Sequence, residues 1–243
     1  MIVVGVCVVR DGADVLELSL RHHLATACDR VVVVDTGSTD GSDALVQRLA
    51  SDGLAVELRR EPDAERATVV TAVAREAHAA GAAWVVPFDA HQLWCDRAGQ
   101  ALRPVLVSTA AGDLQATVVP FAQDRGATFG EPASLTLPAA SLAPEATGEQ
   151  TPLAAHAGVA SVLRPSDEVS VDAEGRVSGA RGWTEHSPWV TVLSLPIRSA
   201  RAAGGDEAWA RSTTHDGRLE GVPLRSDVRW AAAAWRALQG VHG

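Results

Sequence analysis

Two apolar segments that each end on a carboxylate constrain the fold of this chain. The first runs from Val31 to Asp35 and the second from Trp84 to Asp89, and polar turn residues follow each of them. Short apolar runs rich in β-branched residues predict buried strands. In an open α/β sheet, ligands bind just outside the carboxyl ends of the strands. The two acidic strand ends therefore predict a site for a polar ligand, with or without a metal ion.

Strand and helix patterns alternate over residues 1–90. Apolar runs at 2–9, 30–35, 54–58 and 82–88 predict strands, and helices are predicted from Asp11 to near Cys28, over 44–50 and over 63–80. Gly81 follows the last helix, where a left-handed residue commonly closes it. His22 and His23 lie near the end of the first helix, where the helix dipole favours imidazolium. The alternation with short links predicts a mostly parallel sheet with right-handed crossovers.

The second half has weaker patterns that predict a smaller, β-rich region. A helix is predicted over 101–110, and strands over 113–121, 159–163, 168–171 and 189–195. Residues 123–150, rich in Gly, Pro, Ala and Thr, predict a long surface loop, and 228–238 predict a docking helix. Because no repeat or low-complexity linker interrupts the chain, we expect one domain over 1–243.

Composition excludes several classes of function. The net charge of −9 argues against nucleic-acid partners and anionic membrane surfaces. All 21 cationic side chains are Arg, which excludes lysine Schiff-base chemistry and the P-loop lysine. The three cysteines are widely spaced. This spacing indicates free thiols in a reducing cytoplasm. No apolar stretch approaches the ~20 residues of a transmembrane segment, so we expect a cytoplasmic protein.

The first 95 residues resemble the family 2 glycosyltransferases, in particular the small bacterial branch with the GT-A fold. The intact stretch Asp35-Thr36-Gly37-Ser38-Thr39-Asp40-Gly41 carries most of the resemblance. Further matches are Val9–Asp14, Arg21–Leu24, Thr71–Ala77 and Trp84–Trp94, with weaker ones at Leu193–Ser199 and Gly204–Arg211. The resemblance implies a Rossmann-like GT-A fold with a nucleotide-binding half (1–95) and an acceptor-binding half (96–243).

Three positions depart from the family pattern. The acidic cluster, usually Asp-Ala-Asp-Glu, reads Asp89-Ala90-His91-Gln92 here. Ser194 stands where a later His is expected, and Gly175-Arg176 replaces a Gly-Asn-His landmark. These changes bear on catalysis more than on the fold.

The resemblance also implies roles for individual residues. Asp11 and Asp35 are expected to contact the base and ribose, although Asp35 and Asp40 could instead only cap a turn and the next helix. Asp89 is expected near the diphosphate and, with His91, as a metal ligand, unless His91 binds nothing.

Three further candidates are cationic or basic side chains. Arg198 and Arg75 are expected to face phosphates, or else to form a surface salt bridge and a solvated helix face respectively. His186 is the candidate acceptor base, with Glu185 or another acid to orient it.

The function implied is transfer of a sugar from a nucleotide-sugar donor, UDP-linked or another, to an unknown acceptor, with inversion. Weak Mn²⁺ binding is expected in preference to Mg²⁺, since imidazole suits Mn²⁺ better, and metal independence is the alternative. A catalytically silent relative that binds a nucleotide or partner protein is a second hypothesis. A nucleotidyltransferase is a third, although Val9-Arg10-Asp11-Gly12 lacks the glycines of its phosphate loop.

Overall fold

The structure, a computed structural model, describes residues 1–96, 99–123, 135–136 and 158–197. These residues form four helices and eleven strands. The helices are α1 (Leu16–Thr26), α2 (Ser42–Ser51), α3 (Arg66–Ala79) and α4 (Arg103–Ser108). The strands of the first half are β1 (Val3–Val9), β2 (Arg30–Asp35), β3 (Val56–Arg60), β4 (Trp84–Asp89) and β5 (Gln92–Asp96). Those of the second half are β6 (Asp113–Gln123), β7 (Leu135–Thr136), β8 (Gly158–Leu163), β9 (Ser170–Val171), β10 (Val177–Ser178) and β11 (Thr184–Ile197).

One large sheet organises the described residues. Its strand order is β3-β2-β1-β4-β8-β6-β11-β5, with β7 beside β6, while β9 and β10 form a separate hairpin. The β3–β2, β2–β1 and β1–β4 pairs are parallel, and β8 runs antiparallel to β4. The order 3-2-1-4 is that of a Rossmann-like doubly wound sheet. The predicted α/β class, with a parallel first half flanked by helices and a β-rich second half, is confirmed.

The described residues divide into two compact units. The first comprises 1–94, 101–116 and 159–190, and the second takes in 95–100, 117–158 and 191 onward where these are described. All contacts of the candidate site described below lie within the first unit. The expectation of a single domain stays a prediction.

Alternation along the strands builds the core beneath α3. Even-numbered valines of β1 and β2 pack with one face of α3, and odd-numbered ones point to the opposite face of the sheet. The α3 cluster comprises Val4, Val6, Val32, Val34 and Val85 of the strands with Val69, Val70, Val73, Ala74 and Ala77 of the helix. Each fully buried valine stabilises the fold by about 1.5–3 kcal/mol relative to an exposed one.

The ends of α3 show where the sequence prediction was accurate and where it was not. Gly81 has φ +79°, its N–H donates to the His78 carbonyl, and Ala82 N–H donates to the Ala77 carbonyl, both at 2.9 Å. This is the Schellman arrangement that the glycine predicted. The helix begins at Arg66 rather than Asp63, because Asp63 adopts φ +60° and its N–H donates to the Thr36 carbonyl.

Other predictions fall partly outside the described residues. The predicted loop over 123–150 is described only at Gln123, where β6 ends, and at β7, while the predicted helix over 228–238 lies wholly outside. Within the described part of the chain, no helix is both long and apolar enough to cross a membrane.

The expectation of an imidazolium at the end of α1 is wrong for His23. Both His22 and His23 are fully buried, and His23 stacks on Phe88 with ring centroids 3.6 Å apart. Burial lowers the pKa of His23 well below its ordinary value, and His22 lowers it further. His23 Nδ1 donates to the Ser19 carbonyl at 2.7 Å, and Nε2 accepts from Trp94 N–H at 3.4 Å. A proton on Nε2 would face that N–H, so the ring is neutral.

The polar side chains of α1 hold β5 through its backbone. His22 Nε2 donates to the Trp94 carbonyl at 2.7 Å, and Ser19 Oγ donates to the Gln92 carbonyl at 3.1 Å. The His22 and His23 bonds together satisfy both backbone polar groups of Trp94. A buried backbone group without a partner costs about as much as a lost hydrogen bond. The helix therefore fixes the start of β5, and with it the turn that follows Asp89.

Protonation of His23 should make folding stability depend on pH. In the unfolded chain a histidine takes up a proton below pH ~6.5, whereas folded His23 resists it. We expect the free energy of unfolding to fall by about 1 kcal/mol between pH 7.5 and 5.5 from this residue. Urea titrations of His23→Gln should show a weaker pH dependence than wild type. Ser19→Ala, which removes only the bond to Gln92, should keep the wild-type dependence; equal slopes for wild type and His23→Gln would contradict this account.

Candidate functional site

The register of β1 places two carboxylates at one edge of the sheet. Val9, the last residue of β1, aligns with Asp35 of β2, and Val8 aligns with Asp89 of β4. Neighbouring strands lie about 4.8 Å apart, so the two acids flank the end of β1. The prediction that Asp35 and Asp89 share the carboxyl edge is confirmed.

The pleat nevertheless directs these two carboxylates to opposite faces. Asp89 aligns with Val8, which packs against the α3 cluster, whereas Asp35 aligns with Val9 on the other face. Successive side chains on a strand alternate between faces. The two acids therefore serve different parts of the edge.

Asp35 divides its two oxygens between the turn and the interior. Asp35 is buried, with only 5% of its surface exposed. Oδ1 accepts hydrogen bonds from Gly37 N–H at 2.8 Å and Ser38 N–H at 2.7 Å. Oδ2 is buried and has no hydrogen-bond partner among the described residues. Oδ1 therefore caps the turn, as one interpretation of the sequence predicts. Oδ2 is a hydrogen-bond acceptor without a donor among the described residues.

Most other polar residues of the motif bind the neighbouring loop instead of facing outward. Three consecutive N–H groups of the β1–α1 loop donate to two side chains of the β2–α2 loop and to that of Ser42, the first residue of α2. The pairs are Asp11 to Ser38 Oγ (3.0 Å), Gly12 to Ser42 Oγ (3.0 Å) and Ala13 to Asp40 Oδ2 (2.9 Å). In return, Asp11 Oδ1 accepts from Thr39 N–H at 2.7 Å. The structure thus brings Asp11 and the Asp35 turn together, with Asp11 bound to the loop.

Asp40 is an ionised anchor of these two loops. Partial burial raises the pKa of its carboxyl, but hydrogen bonds from the Ser42 hydroxyl and from the N–H groups of Ala13 and Ser42 outweigh burial and lower it. Stability from this carboxylate is present at neutral pH and is lost as the pH falls through its lowered pKa. A capping role was considered from the sequence, but the bond to Ala13 was not.

Gly12 brings the turn after β4 against the same loops. A Cβ atom at Gly12 would lie 2.9 Å from Ala90 Cβ and 3.0 Å from a methyl group of Val9. Real Cβ atoms do not approach so closely, so only glycine fits without movement. Three loops, those after β1, β2 and β4, therefore pack together at the carboxyl edge.

Asp89 is paired with an arginine that the sequence did not single out. Arg66 Nε donates to Asp89 Oδ1 at 2.8 Å, with side chains 36% and 28% exposed. Asp89 N–H donates to Gln92 Oε1 at 3.1 Å, so Gln92 closes the turn. One sequence signal existed: Arg66 lies in the first turn of the predicted helix 63–80, where the dipole disfavours a cation.

Of the remaining predicted residues that the structure describes, Arg75 lies away from Asp89. Arg75 lies nine residues beyond Arg66, about 14 Å along the helix, and its Nε donates to the Val169 carbonyl at 2.9 Å. His91 is half-buried in the turn after Asp89. Arg198 lies outside the described residues. The phosphate roles of Arg75 and Arg198 stay predictions.

His186 is exposed on β11, and its neighbour Glu185 does not orient it. Adjacent strand residues point to opposite faces, and Glu185 Oε2 accepts from Thr109 Oγ1 at 3.4 Å. Arg164 donates to the Thr109 carbonyl and stacks over Trp84, the first residue of β4. This places Glu185 near the amino end of β4, roughly five residues from Asp89. The structure does not bring His186 to the carboxyl edge, and its role as a base stays a prediction.

The described residues do not by themselves fit a divalent-metal centre. No group of three or more His, Cys, Asp or Glu residues in the described part of the chain could hold an ion. Asp89 Oδ1 is occupied by a guanidinium, and Asp35 faces the other side of the sheet. Hard cations require several oxygen ligands. Weak Mn²⁺ binding at Asp89 and His91 stays a sequence-based prediction.

No protein-family model and no curated protein matches the sequence. The structure is similar to that of the mannosyltransferase PcManGT from Pyrobaculum calidifontis with GDP-Man and Mn²⁺, at 17% identity over 97% of this chain and 69% of that one, with a TM-score of 0.47. It is also similar to S. aureus TarS 1-349, at 10% identity over 81% of this chain and 61% of that one, with a TM-score of 0.45. The chain thus spans less than two thirds of TarS 1-349. Similarities of this size assign neither a family nor an activity.

The contact between Gly12 and Ala90 can be tested by a double-mutant cycle. We expect Gly12→Ala to lower the free energy of unfolding by about 1–3 kcal/mol through overpacking. Ala90→Gly in the same chain should recover part of that loss, because it removes one of the two close atoms. Denaturant titration of the four chains measures the coupling. Strict additivity would show that the two loops do not touch.

Proposed function

We propose that this protein is a GT-A glycosyltransferase that transfers a sugar from a nucleotide-sugar donor to an acceptor. One observation carries the proposal: a buried, unpartnered carboxylate oxygen of Asp35 at the carboxyl end of β2. It lies within the motif that resembles family 2, in the position where doubly wound sheets bind ligands.

Asp35 suits a nucleoside because its unpartnered oxygen, Oδ2, favours ligands that carry hydrogen-bond donors. A base imide N–H or a ribose hydroxyl can donate to Oδ2. A buried carboxylate oxygen without a donor costs at least as much as a neutral unsatisfied group, about 1–3 kcal/mol. A bound nucleoside that supplies the donor recovers that free energy. The acceptor thus favours binding without changing the turn that Oδ1 closes.

The reaction is a direct displacement with inversion. The acceptor oxygen attacks the anomeric carbon, the bond from that carbon to the diphosphate breaks, and the nucleoside diphosphate leaves with the bonding electrons. The acceptor's proton passes to a general base, for which His186 is the sequence-based candidate. Preorganised positive charge near the diphosphate lowers the barrier.

A catalytically silent nucleotide-binding protein is the second candidate. It is favoured by the departures from the family pattern, including Ser194, which is 1% exposed and whose hydroxyl has no partner among the described residues. The two candidates agree on nucleotide binding and differ in turnover. Release of nucleoside diphosphate from a panel of donor sugars, with water or added sugars as acceptor, separates them.

Asp35→Asn tests the nucleotide-binding role. The amide can keep the Oδ1 bonds to Gly37 and Ser38, but it replaces the second acceptor with a donor. We expect nucleoside diphosphate affinity to weaken by about 1.5–3 kcal/mol, the range for a hydrogen bond to a charged group. Calorimetric titration of UDP, GDP, ADP and CDP into wild type identifies the nucleotide, and the variant is then titrated with that one.

Asp43→Asn is the matched control for this variant. Asp43 lies in the first turn of α2, and its exposed carboxylate pairs with Arg60 at 3.1 Å. This control should retain wild-type affinity. Unchanged affinity in a folded Asp35→Asn protein would reduce Asp35 to a turn-capping residue.

A further inference from the structure

Arg66 is held at the carboxyl edge by a single carboxylate. Its Nε donates to Asp89 Oδ1, and no other hydrogen-bond partner for its side chain occurs among the described residues. A guanidinium has five N–H donors in a planar fork. The two terminal nitrogens therefore retain donors for a ligand, while the carboxylate fixes the plane of the group.

The N-terminus of α3 adds positive potential beside Arg66, against the acids Glu61, Asp63 and Glu65 that precede it in the chain. Arg66 is the first residue of α3, a helix of 14 residues whose first turn contains no acid and whose N-cap, Glu65, makes no side-chain capping bond. The N-terminus of a helix carries a partial positive charge, so a cation there is disfavoured unless an anion is bound nearby. Asp89 supplies one such anion, and a bound diphosphate would supply another.

The position of the pair matches the place where strand order reverses. The strands β2 and β3 lie on one side of β1, and β4 lies on the other. Ligands of doubly wound sheets bind in the crevice at this point. Because α3 packs over β1, β2 and β4, its first residue reaches Asp89 at the end of β4.

We propose that Arg66 is the cation that binds the diphosphate of the nucleotide sugar, and that Asp89 positions this guanidinium instead of holding a divalent ion. The inference rests on the proposed function and names how the carboxyl edge, at which the nucleotide is proposed to bind, compensates charge. An arginine pairs bidentately with phosphate oxygens and does not lose its proton. As the bond to the anomeric carbon breaks, the charge that develops on the leaving diphosphate is met by these N–H donors.

A metal ion and Arg66 would exclude each other at Asp89 under this proposal. An ion at Asp89 would share this carboxylate with the guanidinium bonded to Oδ1, and two positive charges at this distance repel. Removal of Arg66 should therefore weaken metal-free binding and, at the same time, create a dependence on Mn²⁺ that wild type lacks. A purely structural arginine would produce neither effect in a folded variant.

The test is calorimetric titration of the full chain with the nucleoside diphosphate that binds wild type, in EDTA and in Mn²⁺. In EDTA, Arg66→Gln should bind at least about tenfold more weakly, and Arg66→Lys should lie between it and wild type. The affinity of the corresponding nucleoside should be unchanged in Arg66→Gln. Mn²⁺ should leave wild type unaffected and restore part of the binding to Arg66→Gln.

Arg59→Gln is the matched control. Arg59 on β3 is also half-buried and paired with acids, Glu57 at 2.8 Å and Glu76 at 2.7 Å, but it lies three strands away from β4. Its variant should bind the nucleotide like wild type.

Three results would each overturn the assignment of Arg66, and two of them concern the effect of EDTA and of the nucleoside. One is wild-type binding that EDTA abolishes; the other is an equal loss of nucleoside and nucleoside diphosphate affinity in Arg66→Gln. Unchanged metal-free affinity in that variant has the same meaning. Failure of nucleotide binding, on which the proposed function depends, is distinguishable, because wild type would then bind none of the nucleoside diphosphates with or without Mn²⁺.

Discussion

The parallel pairing of β1 with both β2 and β4 is the constraint on which the site depends. It sets Asp35 beside Val9 and Asp89 beside Val8, and so fixes which loops meet at the carboxyl edge. A one-residue slip of either neighbour would move every buried valine of that strand to the wrong face. The buried core beneath α3 therefore fixes the strand register, and the register fixes the positions of the site residues.

The loops at this edge are held together because the polar residues of the motif bind the neighbouring loop. Ser38, Asp40 and Ser42 accept from successive N–H groups of the β1–α1 loop, and Gly12 permits close approach of the turn at Ala90. A pattern that resembles a nucleotide-binding motif thus contains mainly scaffold residues. Asp35 is different, since one of its oxygens is left within that scaffold as a buried acceptor.

Two polar arrangements, one buried and one partly exposed, place the second acid. The imidazoles of His22 and His23 bind the backbone of Trp94 and so fix the start of β5 after the turn. On the other face of the sheet, Arg66, the first residue of α3, donates a hydrogen bond to Asp89. Both arrangements join residues more than 20 positions apart in the sequence. Each fixes the position of a strand end next to Asp89.

The sequence alone determined the alternation of strands and helices over residues 1–90, the Gly81 helix stop and the shared edge of Asp35 and Asp89. These follow from local periodicity, turn chemistry and the short links, which leave few topologies. The β-rich second half was predicted with less accurate bounds, because its short strands carry weak periodicity. Tertiary structure alone decided that Asp35 and Asp89 face opposite sides, that His23 is neutral, and that Arg66 rather than Arg75 reaches Asp89. Each of these depends on pairing register, burial or helix placement, which are contacts between distant residues that local patterns do not encode.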